Sequence, residues 1–405
     1  MTNLPRDWEV KKLGDIAEIS SGGTPSRNKK EYWENGIIPW VKIKDIKENF
    51  ISTTEEFITE DGLKNSSAKL FKKGTLLYSI FATLGEVAIL DIDATTNQAI
   101  AGINIKENNT NSLYLMYFLK SIKDKICSKG RGVAQNNLNL SILKQIQIPL
   151  PPLQEQERIV GILDESFAKI DESIKILEQD LLNLDELMQS AMQKAFNPLK
   201  DNTKENYKLP QGWEWKSLGD IGEIITGTTP SKNNPNFYGN EYPLFKPSDL
   251  NGDMVIKYAS DNLSKVGFDN ARNLPKNTIL IVCIGASIGK VGLSGVNGSC
   301  NQQINAIIPS STFVSKYLFF VCLSNYFQEI LKKNASQTTL PIINKTEFSK
   351  LKIPLPPLQE QEQIASYLDE FSSNVKKLKQ NYQTQIKNLQ ELKKSLLDKA
   401  FQGRL

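Results

Sequence analysis

Residues 5–26, PRDWEVKKLGDIAEISSGGTPS, and residues 210–231, PQGWEWKSLGDIGEIITGTTPS, agree at 14 of 22 positions at an offset of 205. Residues 148–165, IPLPPLQEQERIVGILDE, and 353–370, IPLPPLQEQEQIASYLDE, agree at 14 of 18 positions at the same offset. Lys194-Ala195-Phe196 answers Lys399-Ala400-Phe401, again 205 apart. Between these anchors the copies drift. Gly85-Glu86-Val87 aligns with Gly289-Lys290-Val291 at offset 204, and most of the interior differs. A fixed frame at so long a period is a tandem duplication. The chain must therefore use one fold twice, with interiors free to diverge.

Each copy divides at its proline run. The pattern predicts a globular domain over 1–150, a helix over 151–205, a second domain over 206–355 and a second helix over 356–405. A chain of 405 residues is too long for one core, which agrees with two. Short β-branched runs, Thr75–Ile80 and Thr278–Val282, alternate with Gly, Asn and Asp punctuation, which predicts short strands and turns. One amphipathic helix is expected from Asn111-Ser112 to near Gly130, and its counterpart from Thr312 to about Lys333. The fold class expected is α+β.

Pro149-Leu150-Pro151-Pro152 and Pro354-Leu355-Pro356-Pro357 open the long helices. Proline is tolerated at a helix start because its missing N–H would be unpaired there. Glu155 and Glu157 follow in the first turn, where the helix dipole favours acids. The run reads as a stiff joint that aims the helix; a polyproline ligand is the alternative. Leu163, Phe167, Ile170, Ile174, Leu177, Leu181 and Leu184 then step by four and three, the seam of a coiled coil. Leu368, Phe371, Val375, Leu378, Tyr382, Ile386 and Leu389 continue the theme less strictly.

Charge favours pairing of these two helices with each other. Residues 151–205 carry 12 acidic against 6 basic residues, and 357–405 carry 6 against 8. The globular parts are basic, net +3 over 1–150 and +5 over 206–356. About 43 residues make a rod of roughly 64 Å. If the two rods pair antiparallel, two similar basic domains sit at opposite ends, related by a pseudo-twofold axis. That arrangement suits a duplex carrying two different half-sites.

The chain contains no histidine, which removes Ser-His-Asp triads, Cys-His nucleophiles and histidine metal sites. Cys127, Cys283, Cys300 and Cys322 are scattered, which fits reduced thiols in a cytosol. The N-terminus shows no apolar signal-peptide core. The most apolar stretch, Thr278–Val296, holds Lys290 and four glycines, and so reads as paired buried strands rather than a membrane span. Gly285–Val291 imitates a phosphate loop but has three residues between its glycines and valine after the lysine, so it reads as a strand turn. No methyltransferase or nuclease motif is complete. No catalytic residue and no metal ligand is assigned.

At Trp8, Leu13-Gly14-Asp15, Gly22-Gly23-Thr24-Pro25-Ser26 and Pro149–Gln156, each repeated in the second copy, the chain resembles the specificity subunit of type I restriction–modification enzymes. The resemblance covers essentially the whole chain. It implies two target-recognition domains, each reading one half of a bipartite, asymmetric site in double-stranded DNA. It implies that the paired helices set the spacing and dock two methyltransferase subunits, with an ATP-dependent translocase/nuclease as an optional further partner. It places S-adenosylmethionine, ATP and magnesium in those partners, and the complex in the cytoplasm. A coiled-coil scaffold that binds proteins rather than DNA is the rival from another class.

The DNA-contact candidates are loops. Loop 22–30 offers Thr24, Ser26, Arg27, Lys29 and Lys30 to phosphates; its counterpart offers Thr229, Ser231 and Lys232. A solvated strand-linking turn explains the same residues. Lys42 and Lys44 alternate with Val41 and Ile43, which predicts one basic strand face, with Lys246 as the counterpart. An ordinary solvated face is the alternative there. Arg131, Gln135 and Asn136, with Ser336 and Gln337 in the second copy, carry side chains suited to guanine and adenine edges, or form a polar loop.

Overall fold

A computed structural model describes residues 4–130, 138–196, 209–336 and 340–405. The chain forms two compact units. One joins residues 1–177 to 384–405, and the other spans 178–383. Each long helix, Leu153–Phe196 and Leu358–Ala400, is therefore shared between them.

In the first unit a five-stranded sheet runs in the order Ala17–Ser21, Ile100–Ile105, Leu76–Ser79, Val87–Leu90, Phe50–Ile51. Only the last pairing is parallel. Strand residues alternate faces. Leu76, Tyr78, Val87, Ile89, Ala101 and Ile103 therefore pack with the helices, and Leu77, Ala88, Leu90 and Ile100 pack on the opposite side with Val41, Ile46 and Phe71. Burial of both faces is why these strands read as continuous apolar runs. On that opposite side a four-stranded sheet runs Glu56–Ile58, Ile38–Val41, Ala94–Thr96, Leu70–Phe71.

The second unit repeats the plan. Its five-stranded sheet runs Ile224–Thr226, Ile304–Ile307, Ile279–Val282, Val291–Ser294, Val255–Ile256. Its outer sheet has three strands, Asp261–Leu263, Tyr238–Phe245 and Ser299–Cys300. The apolar stretch at 278–296 is indeed two buried, paired strands. The Gly285–Gly289 turn joins them with φ of +95° and +93° at its two glycines, and Gly85 repeats this in the first unit at +81°. Among the described residues no helix is long and apolar enough to cross a membrane.

The helix expected over 112–130 is two helices, Ser112–Ser121 and Lys123–Gly130. Its counterpart is likewise split, into Ser315–Leu323 and Asn325–Lys333. Ser324 explains the second break: its backbone is extended (ψ 148°), and its hydroxyl accepts from Phe327 N, capping the next helix. Helical periodicity continues across such a break, so spacing alone does not reveal it.

The proline run is a buried joint. Gln147–Leu150 pairs antiparallel with Glu9–Lys12, and Lys352–Leu355 with Glu214–Ser217. Tyr114 and Tyr317 donate their hydroxyls to the carbonyls of Pro149 and Pro354, at 2.6 and 2.7 Å. Gln156, fully buried, accepts from Asn111 N at 2.8 Å and donates to the carbonyls of Asn109 (2.9 Å) and Pro151 (2.8 Å). Gln361 repeats the pattern with Val314 N, Thr312 O and Pro356 O. Pro149, Leu150 and Pro151 are buried, which rules out the polyproline-ligand reading.

The two long helices pair antiparallel within each unit. In the first, Phe401 lies edge-on to Tyr114 and Phe118, and Leu163 and Ala400 share the core. In the second, Phe196 meets Tyr317, and Ala191 and Met192 pack with Ala365 and Leu368. Leu163, Ile170, Leu184, Leu368 and Val375 of the expected seam are buried, and Phe167, Ile174, Leu177, Leu181, Phe371, Tyr382, Ile386 and Leu389 are half-buried. Leu378 is not in the seam. It is 42% exposed, and Lys379 takes its place, paired with Asp185 of the facing helix. Further along, Lys393 rather than its 46% exposed neighbour Leu392 faces the partner helix, and pairs with Asp171 at 2.6 Å. The four-three step from Val375 passes through both lysines, whose aliphatic stems cover the seam while their amines reach the acids.

Candidate nucleic-acid interface

Among the described residues, Thr24, Arg27, Lys42 and Lys44, and in the second unit Thr229, Lys232 and Lys246, lie beside the outer sheet of their unit. In the first unit the strand Ala17–Ser21 runs into Gly22-Gly23-Thr24. Gly22 N donates to Ile100 O (3.1 Å) and Gly23 N to Thr96 O (2.9 Å). A Cβ on Gly22 would overlap the carbonyls of Thr96 and Asn97, so glycine is required by this close approach. Gly227 meets Cys300 and Asn301 in the same way.

This approach places Thr24 beside Gln98, to whose Oε1 its hydroxyl donates. Thr229 donates to Gln302 Oε1 at 2.8 Å in the second unit. Sequence reasoning missed both glutamines. Asn97-Gln98-Ala99-Ile100 and Asn301-Gln302-Gln303-Ile304 do recur at offset 204, but the match is short and sits in the drifting interior.

Arg27 lies over the Trp33 ring at 3.6 Å from its centre and 4.7 Å from that of Trp40, and its Nη2 is 2.6 Å from Glu56 Oε2. Trp33 pins the loop by donating to Ser26 O at 3.1 Å, and Trp40 donates to Gly23 O at 3.0 Å. In the second unit Tyr238 does the corresponding pinning, donating to Pro230 O at 2.7 Å. The exposed chemistry there differs: Tyr242 stacks flat on Phe268 at 4.0 Å, with Lys265 Nζ 5.7 Å from the Phe268 ring centre.

Lys42 and Lys44 do not share a strand face. The strand ends at Val41, and Ile43–Asp45 is a single 3-10 turn. Asp45 causes this, because its carboxylate accepts from Lys42 N at 2.8 Å and turns the chain. Asp249 does the same to Lys246 N, at 2.8 Å. The Lys42 amine is paired with Glu56, and Lys246 with Asp261. Burial works to raise the Glu56 carboxyl, but Lys42 and Arg27 together outweigh it and hold it below the usual carboxylate range. The Lys246 hydrogen bond holds Asp261 low. Lys42 and Lys246 are thus mostly covered and committed inside the fold.

The other cations are tethered loosely. Lys44 pairs with Glu55, Lys29 donates to Tyr32 Oη at 3.0 Å, Lys30 lies 3.8 Å from Glu34, and Lys232 lies 3.9 Å from Asp261. Exposed pairs of this kind are worth about 0–1 kcal/mol, so such a lysine can exchange its acid for a phosphate at small cost. Ser231 Oγ accepts from Asn233 N at 3.3 Å. Ser336 exchanges hydrogen bonds with Ile342. Arg131, Gln135, Asn136 and Gln337 lie outside the described residues.

The comparisons with known proteins agree with this architecture. The family description "Type I restriction modification DNA specificity domain" matches residues 5–181 and again 210–388. The MjaIX specificity subunit of Methanocaldococcus jannaschii is 30% identical, over 99% of this chain and 94% of its own length. The HindI specificity subunit of Haemophilus influenzae is 25% identical, over 98% of this chain and all of its own. Among solved structures, a chain from work on complex assembly and conformational transition of the type I R-M system superposes with a TM-score of 0.82, at 23% identity and full coverage of both chains. The HsdS subunit from Thermoanaerobacter tengcongensis gives 0.60, at 23% identity, over 99% of this chain and 98% of its own. The duplicated frame, the twin sheet units and these matches make the chain a member of the type I restriction–modification DNA specificity family.

Proposed function

We propose that the chain is the sequence-reading subunit of a type I restriction–modification complex. Each unit reads one half of a bipartite, asymmetric duplex site. The long helices fix the spacing between the halves and dock two methyltransferase subunits, and a translocase/nuclease joins where the complex also cleaves. S-adenosylmethionine, ATP and magnesium belong to those partners, and the adenine to be methylated is flipped out of the duplex into them. The complex works in the cytoplasm.

One observation carries this reading. The two units keep the same frame yet expose different chemistry from it: Arg27 on Trp33 in one, Tyr242 on Phe268 with Lys265 in the other. A scaffold gains nothing from such divergence on one shared frame, whereas two readers of unlike half-sites require it. The cations around both sites supply the phosphate attraction that precedes base reading.

The test is a genome-wide map of methylated adenines with and without the gene. Loss of methylation at one gapped, asymmetric sequence is the expected result. An unchanged map would refute the reading. Affinity of the complex for that duplex should also fall linearly with the logarithm of salt concentration.

A further inference from the structure

We infer that Gln98 and Gln302, each held by its threonine, are a matched pair of clamps on the DNA backbone. They would grip phosphate oxygens without reading sequence. The inference rests on the DNA-reading function proposed above and goes further, assigning to two named side chains a role separate from base recognition.

The constellation is built the same way in both units. Asn97 Oδ1 accepts from Ala99 N, and Asn301 Oδ1 accepts from Gln303 N, both at 3.1 Å. That turn carries Gln98 and Gln302 to an exposed apex. The glycine before it closes against the turn, and the threonine two residues on donates to the glutamine Oε1. The bond fixes the orientation of each amide. Its oxygen is engaged, and its NH2 group, with two donors, is directed away from the threonine. Among the described residues no acceptor is recorded for Nε2 of Gln98 or Gln302. Holding an exposed side chain in one rotamer has an entropic cost, which is recovered when the held donors meet a fixed acceptor.

Recurrence decides what that acceptor is. The aromatic and cationic side chains around the two constellations differ between the units. Readers of unlike half-sites cannot both rely on one base contact from one position, but every duplex presents phosphate oxygens at the same spacing. A neutral amide donor suits a phosphate oxygen and releases no counterion.

The test uses the native complex containing the full chain, with Gln98→Ala, Gln302→Ala and the double variant. The probes are a labelled duplex carrying the site selected from a randomised pool and a labelled duplex of unrelated sequence. Each single variant should weaken both duplexes about equally, by roughly tenfold. The salt slope should not change, and the selected sequence should stay the same. Gln98→Glu keeps an acceptor for Thr24 but turns the outward donor into a negative charge, so it should weaken both duplexes further. All three side-chain changes are at exposed positions, and a thermal melt of each variant superposable on that of the parent checks folding. Loss confined to the selected duplex, or relaxed preference at one base pair, would overturn the inference in favour of base reading. Undiminished affinity in the double variant would overturn it outright while leaving the proposed function standing. Failure of the parent complex to bind either duplex would overturn both.

Discussion

Replacing Gln156 by leucine keeps the side-chain bulk at the head of the central helix and deletes three hydrogen bonds. Asn111 N–H and the carbonyls of Asn109 and Pro151 lose their partner. Asn109 is exposed and its carbonyl can turn to water, but Pro151 is buried and Asn111 half-buried. A buried polar group left unpaired costs about 1–3 kcal/mol. Two such groups, less the leucine's apolar gain, give a loss of about 2–4 kcal/mol. For a unit of this size each kcal/mol moves the midpoint by roughly 2–4 °C, so the first unit's thermal transition should fall by roughly 4–16 °C. Gln154→Leu, two residues earlier on an exposed site, is the control and should stay within about 0.5 kcal/mol. Calorimetry of the full chain separates the two. A midpoint within about 2 °C of the parent would refute the reasoning, because it would mean that water replaces all three bonds.

The same change at Gln361 should lower the second unit's transition to a similar extent, since half-buried Val314 N and the buried Pro356 carbonyl lose the same 2.8 Å bonds. Lys393→Asp should destabilise the first unit by placing like charges at the Asp171 contact, and adding Asp171→Lys should restore most of the loss; urea titration of both singles and the double gives a coupling of up to about 1 kcal/mol. The depressed Glu56 carboxyl contributes stability above its unfolded value, near the ordinary carboxylate pKa of about 4.3, and loses it as pH falls through the lower folded value. Glu56→Gln should therefore flatten that part of the acid-side stability curve, and an unaltered curve would show the pairs to Lys42 and Arg27 to be inert. Burial pushes the thiols of Cys283 and Cys300 up to about 12 and that of Cys322 well above the usual thiol value, so a thiol reagent at neutral pH should modify half-buried Cys127 first and the others only on unfolding, as mass spectrometry of the labelled peptides can check.

The duplication, the two cores, the proline joint and the paired helices could all be read from the bare sequence. Each is written in short-range or periodic terms. Apolar runs mark strands covered on both faces, a four-three step marks a seam, and prolines before glutamates mark a helix start. The folded chain decided what depends on partners far apart in sequence. Lys42 looked free until Glu56, 14 residues on, proved to hold it, and Thr24 acquired its meaning from Gln98, 74 residues away. Leu378 and Lys379 are neighbours on the helix, and only the facing helix, with Asp185 in place, determined which of them enters the seam. Local pattern fixes which way a side chain can point, but its charge is spent or spared by whatever the rest of the chain brings within about 4 Å of it.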